Sequence, residues 1–362
     1  MNEKTTKLID DILSREISSN KTPSLQFIIF NKNSILHQYY SGYADVLNAR
    51  PTTPQTTYHA YSVTKTFTAL AVLQLVEQGK IDISKPIINY FSDFPYGPEI
   101  TTQQLLAHTA GIPSPIPLKW IHLSDEHKTF NTNLYFKEII SKNSQTKSGP
   151  NEKFMYTNLG YILLGQLIEK ISEMKYEEYI EMNILKKLGT SQAELGFVKD
   201  PLAIHAKGYH KKNTFSSFLL NFFINKKKYM DQTEGVWRAF KTNYVNGPAY
   251  GGLIGTANAF RIYIQELLKK DSVLLSDAWK QKMFTENFTI NGKATGMCLS
   301  WFTSSLNGVR FYTHAGGGGG YYCELRIYPE KEIGSVIMFN RTGMTDERFL
   351  NKVDKYVITN SD

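Results

Sequence analysis

The chain has 362 residues, with 41 Lys and Arg against 33 Asp and Glu, and a formal net charge of +8 at pH 7. Hydrophobic residues make up 41% and charged residues 20%, which supplies enough apolar material for a core and excludes a disordered chain. The longest strongly apolar run, Phe218 to Ile224, contains Asn221 and is far shorter than the ~20 residues that span a membrane. We therefore expect a soluble globular protein of about two or three folding units.

The N-terminal segment is polar and amphipathic, and it lacks the apolar centre of a secretory signal peptide. The chain as given is therefore expected to be cytoplasmic, whereas a protein whose leader had been removed would be extracytoplasmic. The two cysteines, Cys298 and Cys323, are too few for a disulfide framework, so we expect two buried thiols.

The predicted elements begin with a β-hairpin. Ser24–Phe30 and Ile35–Tyr43 are rich in β-branched and aromatic residues, and a polar turn separates them. Apolar residues then recur at helical spacing between Ser62 and Gly79, which predicts a helix that begins at the serine and ends at the glycine.

The middle of the chain has mostly helical patterns, and strands return near the end. Predicted helices lie at Gln103–His108 (capped by Thr101), Phe136–Lys142, Asn158–Ser172, Tyr176–Leu188, Thr256–Leu268 and Ser276–Thr285. Predicted strands at Val309–Thr313, Tyr321–Tyr328 and Gly334–Phe339 precede a last helix at Glu347–Ile358.

This order of elements predicts the domain organisation. Strands at both ends with helices between them indicate an α/β domain formed by residues 1–85 and 245–362. A mainly helical domain at residues 86–244 interrupts it and carries a basic and apolar insertion near 206–241.

Most of the excess positive charge lies in that insertion. No helix-turn-helix, zinc-finger or aromatic RNA-binding signature accompanies it, so nucleic acid is not an expected partner. Within it, residues 213–230 place Phe and Leu at helical spacing before Lys226–Lys228, which predicts a helix. We expect this helix to border the substrate pocket as a wall or lid, with weak contact to an anionic surface as the alternative.

Three short motifs carry residues that can do chemistry. Ser62 and Lys65 share one face at a predicted helix start, where free backbone N–H groups favour negative charge. Tyr156 and Asn158 lie at the start of another predicted helix, and His314-Ala315-Gly316 ends a predicted strand before further glycines. Each motif is weak alone, because Ser62 could be an ordinary N-cap and Ser-x-x-Lys recurs elsewhere. The other Ser-x-x-Lys matches begin at Ser18, Ser144 and Ser172.

Together and in this order, the motifs resemble those of the serine β-lactamase and penicillin-binding protein superfamily. The class C β-lactamase-like branch, with its esterases and D-aminopeptidases, is the most similar. The resemblance covers most of the chain and implies an α+β fold, with an antiparallel sheet flanked by helices and an inserted helical domain. Further similar segments are Gly42–Asp45, Leu105–Gly111, Phe154–Gly165, Gly251–Leu253 and Tyr321–Pro329.

The resemblance implies a serine hydrolase that forms an acyl-enzyme on Ser62. Lys65 and Tyr156 would share the role of general base, since a lysine beside a tyrosine in a closed site can have a depressed pKa.

The remaining motif residues are implied to bind the substrate. Asn158 would hold it through its side-chain amide, and His314 and Gly316 would also bind it. Backbone N–H groups of Ser62 and Gly317 would form the oxyanion hole. The alternative for the glycine run is a flexible hairpin loop.

One departure from the family concerns substrate choice. β-Lactamases of this branch carry Lys-Thr-Gly where this chain has His314-Ala315-Gly316, and a histidine clamps a carboxylate less well. We therefore expect an ester, amide or D-amino-acid peptide as substrate. The alternatives are a penicillin-binding protein or β-lactamase, and a catalytically lapsed homologue that acts as a binding module.

The other histidines suggest no metal site. His-Glu-x-x-His is absent, and His122/His127 and His205/His210 are five residues apart, so neither pair shares one helix face. No cofactor is therefore expected. His108 is expected to be structural, fixing the turn before Gly111.

Overall fold

The computed structural model describes residues 1–198, 204–214, 225–342 and 348–358. Its main element is a seven-stranded antiparallel sheet in the order β12-β13-β14-β15-β1-β2-β3. The strands of this sheet are β1 Ser24–Asn31, β2 Ile35–Asp45, β3 Arg50–Pro51, β12 Phe302–Leu306, β13 Val309–Gly318, β14 Tyr321–Tyr328 and β15 Ile333–Phe339.

The predicted hairpin is confirmed, since β1 pairs with β2 from Ser24 to Phe30. All of β1 except its last residue is buried, because β15 and β2 flank it and helices cover both faces of the sheet. This position explains why the sequence of β1 is apolar almost without alternation.

Helices pack on both faces of the sheet. On one face, Ile9 and Leu13 of the N-terminal helix and Val353 of the C-terminal helix pack against Phe27 and Ile29 of β1. The helices, in chain order, are α1 Glu3–Ser18, α2 Thr64–Glu77, α3 Thr102–Leu106, α4 Thr132–Lys142, α5 Asn158–Ser172, α6 Tyr176–Ile180, α7 Lys226–Tyr229, α8 Pro248–Gly251, α9 Ala257–Leu268, α10 Asp277–Met283 and α11 Asn351–Ile358.

Helix α2 lies in the core, on the other face of the sheet. Every residue from Thr64 to Val76 is buried. The Phe67 ring of α2 stacks on the Tyr263 ring of α9, with the ring centroids 4.0 Å apart. A helix that is covered on all sides holds the residues at its N-terminus firmly. It begins at Thr64, two residues after the predicted start at Ser62.

Several predicted boundaries were wrong. The helix predicted at Tyr176–Leu188 is α-helical only to Ile180 and continues as a π-helical turn. The helix capped by Thr101 ends at Leu106, because His108 has a left-handed backbone with φ +57°. α4 begins four residues before the predicted start, at a cap formed by Asn131.

The basic insertion contains strands, which were not predicted. Its described part includes β7 Tyr209–Lys211, β8 Met230–Glu234 and β9 Trp237–Phe240, which form a three-stranded sheet in the order β7-β9-β8. Most of the helix predicted at 213–230 lies outside the described residues, and Lys226–Tyr229 form the single turn α7. The remaining short strands are β4 Tyr58–His59, β5 Ile121–Leu123, β6 Leu195–Gly196, β10 Asn243–Val245 and β11 Ile254–Gly255.

A buried ionic cluster attaches α11 to the sheet. Arg326 of β14 contacts Glu324, and its guanidinium lies 3.8 Å from the Asp354 carboxylate of α11; all three side chains are inaccessible to solvent. Burial raises the pKa of Asp354 to about 6. The arginine therefore compensates two carboxylates that water does not reach.

Replacing Arg326 with methionine should lower the free energy of unfolding by about 3–5 kcal/mol, because it leaves both carboxylates buried without a cation. Urea unfolding measures the loss. Lys142→Met is the matched control, since it breaks the exposed Lys142–Glu138 pair of α4, and it should change stability little. Equal stabilities for the two variants would contradict the assignment of a structural role to the cluster.

Candidate active site

Ser62 lies in a 3₁₀ turn, Tyr61–Val63, that leads directly into α2. The N-cap positions of the turn and of the helix are Ala60 and Val63, and neither makes a side-chain cap. Ser62 is therefore not an N-cap, and that alternative was wrong. Its hydroxyl oxygen instead lies 3.0 Å from the side-chain nitrogen of Lys65, one turn along the helix.

Lys65 is fully buried, and its Nζ has two close polar contacts. One is the Ser62 hydroxyl, and the other is the backbone carbonyl of Tyr250 in α8, which accepts at 2.8 Å. Burial holds the pKa of Lys65 well below its ordinary value of 10.5. A neutral amine can donate one N–H to the carbonyl and still offer its lone pair to the serine proton.

Tyr156 stands beside this pair, in an irregular segment just before α5. Its half-buried ring has its centroid 5.1 Å from the Lys65 Nζ. Asn158 is the first residue of α5, and its side-chain oxygen is buried without a hydrogen-bond partner among the described residues. Such an acceptor is available to a substrate N–H group.

The third motif lies on a strand whose backbone edge is open. β12 pairs with β13 only as far as Thr313, so residues 314–318 are paired on one side, with β14. The strand therefore continues to Gly318, so the loop alternative was wrong for residues 316–318, and Gly319 and Gly320 alone form the turn of the hairpin. A Cβ on Gly316 would lie 2.6 Å from the Ser62 backbone nitrogen, so only glycine lets the strand approach Ser62 this closely.

His314 is almost fully buried, and its ring centroid lies 6.3 Å from that of Tyr156. Its Nδ1 donates to the carbonyl of Ala315 at 2.8 Å, because a carbonyl can only accept. Burial and the nearby Lys65 lower the pKa of His314 to about 3. The imidazole is therefore neutral at physiological pH, and its Nε2 is a buried acceptor without a partner in the described structure.

One cavity of about 560 Å³ brings Ser62, Tyr156 and residues 314–317 together in its lining. Neither Lys65 nor Asn158 is among the lining residues, and Lys65 reaches the site through its contact with the Ser62 hydroxyl. Arg348, which is exposed and donates to Ser304, is the one formally charged side chain among the described lining residues. The other described lining residues are the aromatic Phe302, Tyr321 and Tyr322 and the polar Thr313 and Thr342.

Sequence reasoning missed several residues of this site. Phe302 was missed because β12 was not predicted, and Arg348 lies on a turn without any local motif. The contact of Lys65 with residue 250 uses the backbone carbonyl, so the identity of the tyrosine side chain could not have predicted it.

The described residues form no group of three or more His, Cys, Asp or Glu side chains placed to hold a metal ion. In the same ranges, no helix combines the length and apolar character needed to cross a membrane.

A central antiparallel sheet flanked by helices, with a Ser–Lys pair against an open strand, defines the β-lactamase and transpeptidase fold class. The Beta-lactamase family model matches residues 9–357, and this chain belongs to that family.

Known relatives and solved structures are similar over nearly all of the chain. Penicillin-binding protein 4* of Bacillus subtilis (strain 168) is 25% identical over 330 residues, 90% of this chain and 70% of that protein. The octameric penicillin-binding protein homologue from Pyrococcus abyssi has a TM-score of 0.78 at 24% identity, covering 97% of this chain and 76% of that one. D-amino acid amidase from Ochrobactrum anthropi SV3, solved with D-phenylalanine, has a TM-score of 0.77 at 20% identity, covering 99% and 100%.

Proposed function

We propose that this protein is a serine hydrolase that forms an acyl-enzyme on Ser62 and hydrolyses an ester or a D-amino-acid amide or peptide. The observation that carries the proposal is the buried Lys65 nitrogen, 3.0 Å from the Ser62 hydroxyl. A serine hydroxyl is a poor nucleophile until a base removes its proton, and a desolvated amine is such a base.

In acylation, the Lys65 lone pair takes the hydroxyl proton while the Ser62 oxygen attacks the substrate carbonyl carbon. Backbone N–H groups of Ser62 and Gly317 would stabilise the oxyanion. Tyr156 gives its phenol proton to the leaving alcohol or amine as the bond to carbon breaks, and the protonated Lys65 replaces that proton, so both groups are neutral again. Water then attacks the acyl carbon while the base pair takes one of its protons. The pair returns a proton to the Ser62 oxygen as the acyl bond breaks and the acid is released.

The neutral state of His314 supports a substrate without a carboxylate at this position. A lysine of the Lys-Thr-Gly type brings a cation, whereas a histidine with a pKa of about 3 brings none. Among the small-molecule substrates expected from the sequence, esters and amides therefore fit better than β-lactams.

Replacing His314 with lysine should raise kcat/KM for a carboxylate-bearing β-lactam relative to a neutral ester by about tenfold, the value of one charge-assisted hydrogen bond. His314→Gln is the control, because it keeps a neutral polar group and should leave the ratio unchanged. Steady-state kinetics on both substrates measure the ratio. A wild-type protein that prefers the β-lactam to every ester and peptide tested would overturn the substrate assignment.

A second candidate function rests on Arg348. Its guanidinium lines the same cavity and can pair with a carboxylate, which favours a carboxypeptidase or penicillin-binding activity. A peptide ending in free D-alanine, compared with its C-terminal amide, separates the two candidates. Faster turnover of the free acid supports the second, and faster turnover of the amide supports the first.

Intact-protein mass spectrometry tests the proposal against a lapsed homologue that only binds. The protein is exposed to a p-nitrophenyl ester, a D-alanine peptide and a penicillin, each with a Ser62→Ala control. A mass increase that needs Ser62, followed by its loss on turnover, supports the hydrolase. Binding of these ligands without acylation would show a binding module instead.

A further inference from the structure

His108 lies outside the three motifs, yet it contacts both neighbours of Tyr156. Its backbone carbonyl accepts from the N–H of Met155 at 2.7 Å, and its Nδ1 accepts from the N–H of Thr157 at 3.1 Å. Residues 154–157 belong to no helix or strand. His108 therefore accepts the backbone N–H groups on both sides of Tyr156, which have no partner from regular secondary structure.

The His108 ring also packs on the Tyr156 ring itself. The two centroids lie 4.4 Å apart with an interplanar angle of 32°. The rings of Tyr161 and Phe154 also lie against the imidazole, at centroid distances of 5.0 and 6.0 Å. His108 is inaccessible to solvent, so these contacts leave the ring little freedom.

The backbone of His108 is shaped for this contact. Its φ of +57° is left-handed, a conformation uncommon for residues with a side chain. α3 ends two residues before His108. The left-handed backbone lets the carbonyl and the ring of His108 both face residues 155–157. A residue held in such a conformation at a site is a reason to look for a functional role.

We propose that His108 is a positioning residue that holds the Tyr156 phenol in place for proton transfer with Lys65. This inference rests on the proposed hydrolase function. His108 acts through Tyr156 and does not itself line the cavity.

The imidazole performs this role in its neutral form. Because Nδ1 accepts a backbone N–H, the ring carries its proton on Nε2. Burial lowers the pKa of His108 well below its ordinary value, and the nearby Lys65 and His314 lower it further. A cationic ring would lose the acceptor and add positive charge beside Lys65.

A double-mutant cycle between His108 and Tyr156 tests the inference. His108→Leu removes the acceptor and the aromatic ring, and it should lower kcat by about 10- to 100-fold with KM changed little, because a displaced catalytic group slows the chemical step. In the Tyr156→Phe background the same change should have almost no further effect, since the group it positions is gone.

His108→Asn is the conservative variant, because asparagine tolerates a left-handed backbone and its side-chain oxygen can accept the Thr157 N–H. It should recover part of the kcat lost in His108→Leu, and it keeps the test open if the leucine variant does not fold. His122→Asn, at a second buried histidine whose Nδ1 bonds Asn246, is the matched control and should leave kcat unchanged.

The possible failures can be told apart. A wild-type protein that is never acylated at Ser62 overturns the proposed function and this inference together. An active wild type in which His108 variants lose the same kcat in both backgrounds, or change only KM, overturns the inference alone.

Discussion

Replacing Ser62 with alanine should abolish covalent labelling by any acyl donor and leave the free energy of unfolding nearly unchanged. The first expectation follows from the Lys65 nitrogen 3.0 Å from the hydroxyl. The second follows because this hydroxyl caps no backbone group, and because Lys65 keeps its bond to the Tyr250 carbonyl when the serine oxygen is gone. Intact-protein mass spectrometry and urea unfolding measure the two quantities.

Ser144→Ala is the matched control for this experiment. Ser144 begins another Ser-x-x-Lys sequence, but it is exposed and lies on no helix. The two serines therefore share a sequence motif but differ in their structural surroundings. Labelling that persisted in Ser62→Ala, or that was lost in Ser144→Ala, would show that the nucleophile has been misassigned.

Removing Lys65 and Tyr156 together should cost little more than removing the more important of the two. If both groups serve one proton-transfer step, each single change lowers kcat by about 10²- to 10⁴-fold, and the penalties do not multiply. Lys65→Met is suitable because methionine fills the buried space without an amine, and Tyr156→Phe keeps the ring. Steady-state kcat for the two single variants and the double variant measures the coupling.

The pH dependence of kcat/KM supplies an independent check on the same pair. Because the pKa of Lys65 is lowered, the neutral amine forms at a pH below 10.5, and the rate should rise with pH and level off well before that value. His314, with a pKa of about 3, stays neutral from about pH 5 upwards and should add no step of its own. Multiplying penalties in the double variant, or a rate that rises only near pH 10.5, would refute a shared base.

Elements with long, regular patterns were predicted well from the sequence. Asn158–Ser172 is helical over the predicted range, and Tyr321–Tyr328 is a strand over the predicted range. Both elements are buried along most of their length, so most of their residues are apolar and the pattern is easy to recognise. The domain division at residues 86 and 244 stays a prediction.

Elements whose shape depends on distant contacts were predicted poorly. The helix from Tyr176 loses α-helical geometry after Ile180. The described strands of the basic insertion form a separate three-stranded sheet, and Tyr209 of β7 also bridges to Arg341, more than a hundred residues along the chain. Short strands bury few residues, so their sequences carry little periodicity.

The sequence by itself determined the family, the three motifs and their order, because nucleophile, base and substrate-binding groups need particular side chains at local spacings. Only the tertiary structure decided their chemical states. Burial lowers the pKa of Lys65 and of His314, which favours the neutral amine that the proposed base requires and a neutral imidazole. The contacts that position the site residues come from distant segments. The Tyr250 carbonyl contacts Lys65, and the His108 ring packs on Tyr156. Burial and long-range contact are properties of the folded chain, and no local pattern of residues encodes them.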